Sequence, residues 1–207
     1  MMQSYLQRLP LIAILRGVTP DEVTEVGQEL IAAGFTAIEV PLNSPQPVES
    51  IRKLAAAAGP EVLVGAGTVM SPEQVTEIAA AGGRLIVMPH GDPAVIRAAK
   101  SAGLYCAPGV ATPTEGFAAL AAGADVLKLF PAEHLGPAVL KAWRSVFPKE
   151  TLFFPVGGIT PGNMSEYVAV GAAGFGLGSA LYKPGMALQA VGEQARAFAE
   201  AWRRLRG

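Results

Sequence analysis

Lys128 sits in a setting that asks for a chemical reason. It lies within Val126-Leu127-Lys128-Leu129-Phe130, flanked by large apolar residues, whereas Lys53, Lys100, Lys141 and Lys149 fall in segments that read as helices or their flanks. Burying an ammonium is costly, so a desolvated lysine loses its proton more easily. A fall in pKa from about 10.4 to roughly 7.5 corresponds to about 4 kcal/mol of differential charge stabilisation. The neutral amine can then attack a carbonyl and form a Schiff base. The structural alternative is a lysine paired in or near the core. Glu39, in Thr36-Ala37-Ile38-Glu39-Val40, poses the same question with the opposite sign. An isolated carboxylate on an apolar strand must be paired, hydrated or ready to exchange protons. Carbinolamine formation, dehydration and carbon–carbon cleavage all require proton transfer, so general acid/base work is its functional reading. A purely structural Glu39–Lys128 ion pair is the competing one.

Two further polar residues follow apolar runs. Arg16 comes directly after Leu11-Ile12-Ala13-Ile14-Leu15, as a cationic donor for a carboxylate or phosphate or as a strand-end salt bridge. Thr68 follows Gly65-Ala66-Gly67, either to bond a ligand carboxylate or to cap a loop. Glycines concentrate at Gly157-Gly158 and at Gly176-Leu177-Gly178-Ser179. Missing side chains let backbone N–H groups approach phosphate oxygens, and a following helix N-terminus and the Ser179 hydroxyl would add donors. Tight-turn geometry is the alternative for each. The Gly65-Ala66-Gly67-Thr68 run lacks the Gly-Lys-Ser/Thr continuation of a Walker loop and is no dinucleotide fingerprint, which disfavours a nicotinamide cofactor. His90 and His134 stand apart with no metal-ligand spacing around them, and a metal is not expected. No Gly-x-Ser-x-Gly elbow occurs, and Cys106 reads as a small buried strand residue.

These residues need elements to position them, and the chain supplies a regular alternation. Eight short apolar runs end at residues 15, 40, 66, 88, 107, 130, 156 and 177, spaced 19 to 26 residues apart. Each interval holds one strand, one three-turn helix and two short loops. Thr19-Pro20, Ser71-Pro72, Asp92-Pro93, Thr112-Pro113 and Thr160-Pro161 carry helix-start signals, and Gly34, Gly59, Gly82, Gly103, Gly123 and Gly171 carry helix-stop signals. Strands that are continuously apolar suit a sheet covered on both faces. Eight units with a last helix near 187–205 predict a single (βα)8 TIM barrel domain over residues 1–207, with minimal loops for a fold of about 250 residues. A doubly wound open sheet is the competing architecture. On a barrel, Arg16, Glu39, Thr68 and Lys128 all fall at the C-terminal ends of strands and share one rim, while loops after the last two strands form the usual phosphate cradle.

Composition bounds the partners. The 207 residues carry 16 Lys plus Arg against 17 Asp plus Glu, 51% apolar residues and 16% charged. Near-balanced charge argues against a broad footprint for nucleic acid or an anionic membrane. No 18-residue apolar span occurs, a disulfide within the chain is impossible with one Cys, and residues 1–10 do not read as a signal or transit segment, so a cytoplasmic location is expected.

Taken together, Leu11–Gly17, Glu39–Pro45, Val64–Val69, Leu127–Glu133 and Pro155–Asn163 (LIAILRG, EVPLNSP, VGAGTV, LKLFPAE and PVGGITPGN) give a chain that resembles the 2-keto-3-deoxy-6-phosphogluconate and 2-keto-3-deoxy-6-phosphogalactonate aldolases almost from end to end. The resemblance implies a class I Schiff-base aldolase, usually homotrimeric, that needs no flavin, nicotinamide or metal cofactor. It implies Lys128 as the imine-forming residue, Glu39 as acid/base and Thr68 as a contact to the pyruvyl portion. It also implies Arg16 as a second donor there, Pro89 and Phe130 shaping the pocket, and Gly157, Gly158, Gly178 and Ser179 around the phosphate. Asn43-Ser44-Pro45 looks more like the phosphogalactonate group, in which case Asn43 contacts the ligand, although the same residues suit a simple turn. The implied partners are a phosphorylated 2-keto-3-deoxy sugar acid, pyruvate and D-glyceraldehyde 3-phosphate. The alternatives are phosphogluconate or dual specificity, a phosphosugar isomerase or epimerase, and a noncatalytic phosphosugar-binding barrel.

Overall fold

A computed structural model describes residues 2–206. A short helix, α1 (Met2–Leu6), precedes β1 (Leu11–Ile14). The chain then alternates through α2 (Val23–Ala32), β2 (Ala37–Pro41), α3 (Pro47–Ala58), β3 (Leu63–Gly67), α4 (Pro72–Ala80), β4 (Leu85–Val87) and α5 (Pro93–Ser101). The second half runs β5 (Tyr105–Ala107), β6 (Gly109–Val110), α6 (Pro113–Ala121), β7 (Leu127–Leu129), α7 (Ala132–Arg144), β8 (Phe153–Pro155), α8 (Met164–Ala169), β9 (Phe175–Leu177) and α9 (Leu188–Arg206). Strand order is β5-β4-β3-β2-β1-β9 in one sheet and β6-β7-β8 in another. The two join into a closed (βα)8 barrel because β5 and β6 are consecutive pieces of one strand and Val156 bridges Gly176 between β8 and β9. The fifth strand therefore differs from its expected form. It continues past Ala107 to Val110 and is interrupted at Pro108, which has no N–H to give to the ladder.

Strand parity explains how continuous apolar runs carry two charged residues inward. Successive side chains on a strand point to opposite faces. One apolar cluster, of Ile12, Ala37, Leu63, Leu85, Val87, Ala107, Val126 and Phe154, fills the barrel interior and is closed from below by Met2 and Leu6 of α1. A larger cluster, to which Ile38, Val40, Leu127 and Leu129 belong, lies between strands and helices. Glu39 stands between Ile38 and Val40, and Lys128 between Leu127 and Leu129. Both are thereby turned into the barrel, above the plug.

Helix starts follow the expected grammar at three of five places. Ser71 and Asp92 accept from the N–H groups of Gln74 and Ala94, and Thr112 forms a reciprocal capping box with Glu115. Thr19 and Thr160 do not cap. Helix α2 begins at Val23 and α8 at Met164, because Glu22 Oε1 accepts from the Thr19 N–H and Asn163 Oδ1 from the Thr160 N–H, which holds an open turn ahead of each helix. All six glycines read as helix stops have positive φ. Replacing Thr112 with Ala removes the bond from the Glu115 N–H to Thr112 Oγ1 and leaves the reciprocal bond from the Thr112 backbone N–H to Glu115. A loss of about 1 kcal/mol is expected, read as a lower denaturant midpoint at unchanged slope.

Candidate active site

The inner faces of β2 and β7 bring Glu39 and Lys128 to the upper end of the barrel. Glu39 is 2% exposed and Lys128 7%. They are not an ion pair: none of the four ion pairs among the described residues includes either side chain. Glu39 Oε2 is buried with no hydrogen-bond partner. Removal from water dominates both groups. It pushes the Glu39 carboxyl up to about 7, against the opposing pull of Lys128 and Arg16. It pushes the Lys128 ammonium below the usual lysine range, with Arg16 acting in the same direction and Glu39 against it. The Lys128 Nζ lies 4.4 Å from the centre of the Phe130 ring, whose face offers a cation only weak compensation for lost water.

Room for the carboxylate comes from Gly67, since a Cβ there would overlap both Glu39 oxygens. The sequence signal was available in Gly65-Ala66-Gly67: alternate glycines on a strand empty one face, here the inner one. Thr68, next in line, is half-buried and holds φ +57, a conformation a β-branched residue adopts only under constraint. Arg16 is exposed, and its Nη1 donates to Asn43 Oδ1. The neighbouring Gly17 N–H donates to Ser44 Oγ at 2.9 Å. Asn43 is thus engaged by Arg16, and the buried Ser44, read from sequence as part of a simple turn, pins the loop that carries Arg16.

Arg16, Lys128 and Phe130 line a cavity of about 650 Å³ together with Gly157, Gly158, Gly178 and Ser179. Of the other expected residues, Glu39 is buried and is not among those lining the cavity, but it stands near enough to Lys128 for each charge to act on the other. Asn43, Thr68 and Pro89 stand outside the residues that line this cavity, on the loops after β2, β3 and β4. Pro89 is half-buried, and its carbonyl approaches Gly109 so closely that a Cβ there would overlap it. Sequence reasoning missed Glu133, Thr160, Tyr182 and Lys183, which also line the cavity. Glu133 and Thr160 lie in the quoted Leu127–Glu133 and Pro155–Asn163 segments, but Tyr182 and Lys183 are brought in by loop folding that no local pattern announces. The expected helix N-termini behind the glycines are also absent from those positions. Helix α8 starts at Met164 and α9 at Leu188, and Gly178 to Tyr182 form a single turn whose Gly178 carbonyl accepts from the Leu181 and Tyr182 N–H groups. Among the described residues, neither the Gly158 nor the Ser179 N–H has a hydrogen-bond partner, which leaves donors of the kind an anion takes. His90 and His134 are both exposed.

A carboxyl raised from 4.5 to about 7 in the folded protein makes a specific demand on stability. The native state holds the proton more tightly than the unfolded chain, so the contribution of this group to stability is fully present below pH 4.5 and is lost as pH rises through 7. The two and a half units amount to about 3 kcal/mol. Glu39→Gln should therefore melt close to the parent at pH 4.5 and clearly above it at pH 8. Equal melting shifts at both pH values would mean that the carboxyl titrates normally.

Comparison with known proteins places this geometry in a family. The family model for aldolases described as KDPG and KHG aldolase matches residues 2–193. The 2-dehydro-3-deoxy-6-phosphogalactonate aldolase of Escherichia coli strain K12 is 48% identical over 196 residues, covering 95% of this chain and 96% of that protein. A solved native KDPGal structure superposes with a TM-score of 0.94 at 48% identity, covering 96% of each chain. The KDPG aldolase of Legionella pneumophila, solved with pyruvate captured at low pH as a covalent carbinolamine intermediate, superposes with a TM-score of 0.83 at 28% identity, covering 99% of this chain and 98% of that one. The chain belongs to the KDPG and KHG aldolase family.

Proposed function

We propose that this protein is a class I aldolase that reversibly cleaves 2-dehydro-3-deoxy-6-phosphogalactonate to pyruvate and D-glyceraldehyde 3-phosphate. The observation that carries the reading is a desolvated lysine amine opening onto a sugar-phosphate-sized cavity, with an unpaired carboxyl of near-neutral pKa near enough to act on its charge. The phosphogalactonate substrate is favoured by the 48% identity to the enzyme of that name against 28% to 35% to phosphogluconate aldolases.

Catalysis begins when the neutral Lys128 amine attacks C2 of the 2-keto acid and the carbinolamine loses water to give a protonated imine. Arg16 and Thr68 hold the carboxylate end. Glu39, directly or through one water, takes the proton of the C4 hydroxyl as the C3–C4 bond breaks, and the bonding electrons pass into the imine to form an enamine. Glyceraldehyde 3-phosphate leaves. Protonation of the enamine carbon and addition of water to the imine then release pyruvate and restore the amine. A carboxyl that titrates near 7 suits this cycle because it can both accept and return a proton at neutral pH. Gly157, Gly158, Gly178 and Ser179 supply backbone donors to the phosphate, with Phe130 and Pro89 shaping the passage between. A homotrimer is the expected assembly, supported by the family resemblance and checked by solution mass, and the cytoplasm is the location expected from residues 1–10.

Borohydride added with pyruvate should trap an adduct at Lys128, located by peptide mass spectrometry. Lys128→Ala should lose both adduct and cleavage, and retained cleavage in that variant would overturn the mechanism. Glu39→Gln should still trap pyruvate while cleavage slows by roughly 10²- to 10⁴-fold. In the parent, kcat/KM should fall as pH drops below about 7, where Glu39 gains its proton. Parallel assays with the phosphogalactonate and phosphogluconate substrates decide specificity, and preference for the gluconate compound would refute the narrower assignment.

A further inference from the structure

We propose that Lys183 is a further substrate-binding residue, a cationic clamp on the phosphate of the ligand and the source of the site's preference for phosphorylated over unphosphorylated aldehydes. The inference rests on the aldolase reading above and adds to it a charged contact that the glycine turns do not supply.

The charge inventory of the cavity motivates it. Among its lining residues the ionisable groups of full charge are Arg16, Lys128, Glu133 and Lys183. Lys128 belongs to the Glu39 end, and the Arg16 guanidinium is turned to Asn43. The glycine end is left with Glu133 and Lys183. Glu133 is unfavourable there: its carboxylate packs on Gly157 so closely that a Cβ on that glycine would overlap Oε2. A phosphate monoester carries a charge near −1.5 to −2 at neutral pH. Backbone N–H groups offer it partial charges only, and a full negative charge beside the same turn works against them. A cation at this end is what the electrostatics require.

Lys183 is placed to be that cation. A second cavity of about 430 Å³ adjoins the first, and the two share Ser179, Ala180, Lys183 and Pro184 among their lining residues. Lys183 thus stands at the junction, beside the Ser179 turn. Its backbone is held from both sides. The preceding residues form the turn closed on the Gly178 carbonyl, and the Met186 N–H donates to the Lys183 carbonyl at 3.1 Å. The following Pro184 packs on Gly17 of the first loop. The side chain, by contrast, is exposed and enters none of the four ion pairs among the described residues. An anchored backbone bearing a free ammonium is the arrangement that a flexible point-charge contact to phosphate uses.

The test is condensation of pyruvate with D-glyceraldehyde 3-phosphate and, separately, with D-glyceraldehyde, using the full chain. The ratio of the two kcat/KM values is the readout. Lys183→Met should lower that ratio by roughly 10- to 100-fold, the range for losing one charge-assisted hydrogen bond. The change should lie mainly in KM for the phosphorylated aldehyde, and Lys183→Arg should recover most of it. An unchanged ratio, or an equal loss with both aldehydes, would overturn the clamp. Borohydride trapping of pyruvate on the parent separates the two levels. If the parent traps pyruvate and condenses both aldehydes while Lys183→Met keeps the ratio, the clamp alone fails. If the parent neither traps nor condenses, the aldolase reading fails and the clamp with it.

Discussion

Two opposite charges, both deprived of water and neither allowed to reach the other, set the character of this site. A buried ion pair in contact would gain enough mutual attraction to lock both groups in their charged forms. Here removal from water outweighs attraction for each partner, so the carboxyl titrates near 7 and the amine below the ordinary lysine range. The separation is maintained by the scaffold. Strand parity turns Glu39 and Lys128 inward from different strands, the interior cluster closed by Met2 and Leu6 fills the space beneath them, and the missing side chain of Gly67 receives the carboxylate. A polar arrangement of this kind lowers stability, and the apolar packing on both faces of the sheet offsets it.

One part of the barrel rim is organised around the loops after β1, β2 and β9. Gly17 is bonded to Ser44, and Pro184 packs on Gly17. Glu22 Oε1 accepts from the Tyr182 hydroxyl as well as from Thr19. The loop carrying Arg16 is thereby tied both to the loop after β2 and to the loop after β9. The carboxylate-binding and phosphate-binding ends of the proposed ligand would thus be set by one connected group of loops. This connection gives Ser44, Glu22 and Tyr182 a reason to be polar without any of them needing to touch the ligand.

Much of this was legible in the sequence, and for a definite reason. Polar exceptions inside apolar runs mark Lys128 and Glu39 because burial penalises charge so strongly that such residues are rare without a use. The strand spacing marks the barrel because each unit must span the same distance. What could not be read depends on contacts between segments far apart in the chain. The glycines at 65 and 67 announce an emptied face, but that Glu39 of the neighbouring strand fills it does not show locally; Ser44 matters through Gly17, and Lys183 through two cavities that exist only once the loops are folded. Thr19 and Thr160 misled because a Thr-Pro start competes with a carboxylate or amide three residues later, and Glu22 and Asn163 win that competition. The break at Pro108 was written in the sequence, yet the continuation of the strand beyond it depends on pairing with β7.

The central claim, that desolvation leaves Lys128 with a readily available neutral amine, is most directly tested by titrating that one side chain. NMR of protein labelled with ¹³C at the lysine ε-carbons, with the Lys128 resonance assigned by Lys128→Arg, reports its protonation against pH. A midpoint clearly below the ordinary lysine value of about 10.4 is expected. A midpoint at or above that value would contradict the account, because the amine would then be held as an ammonium at neutral pH.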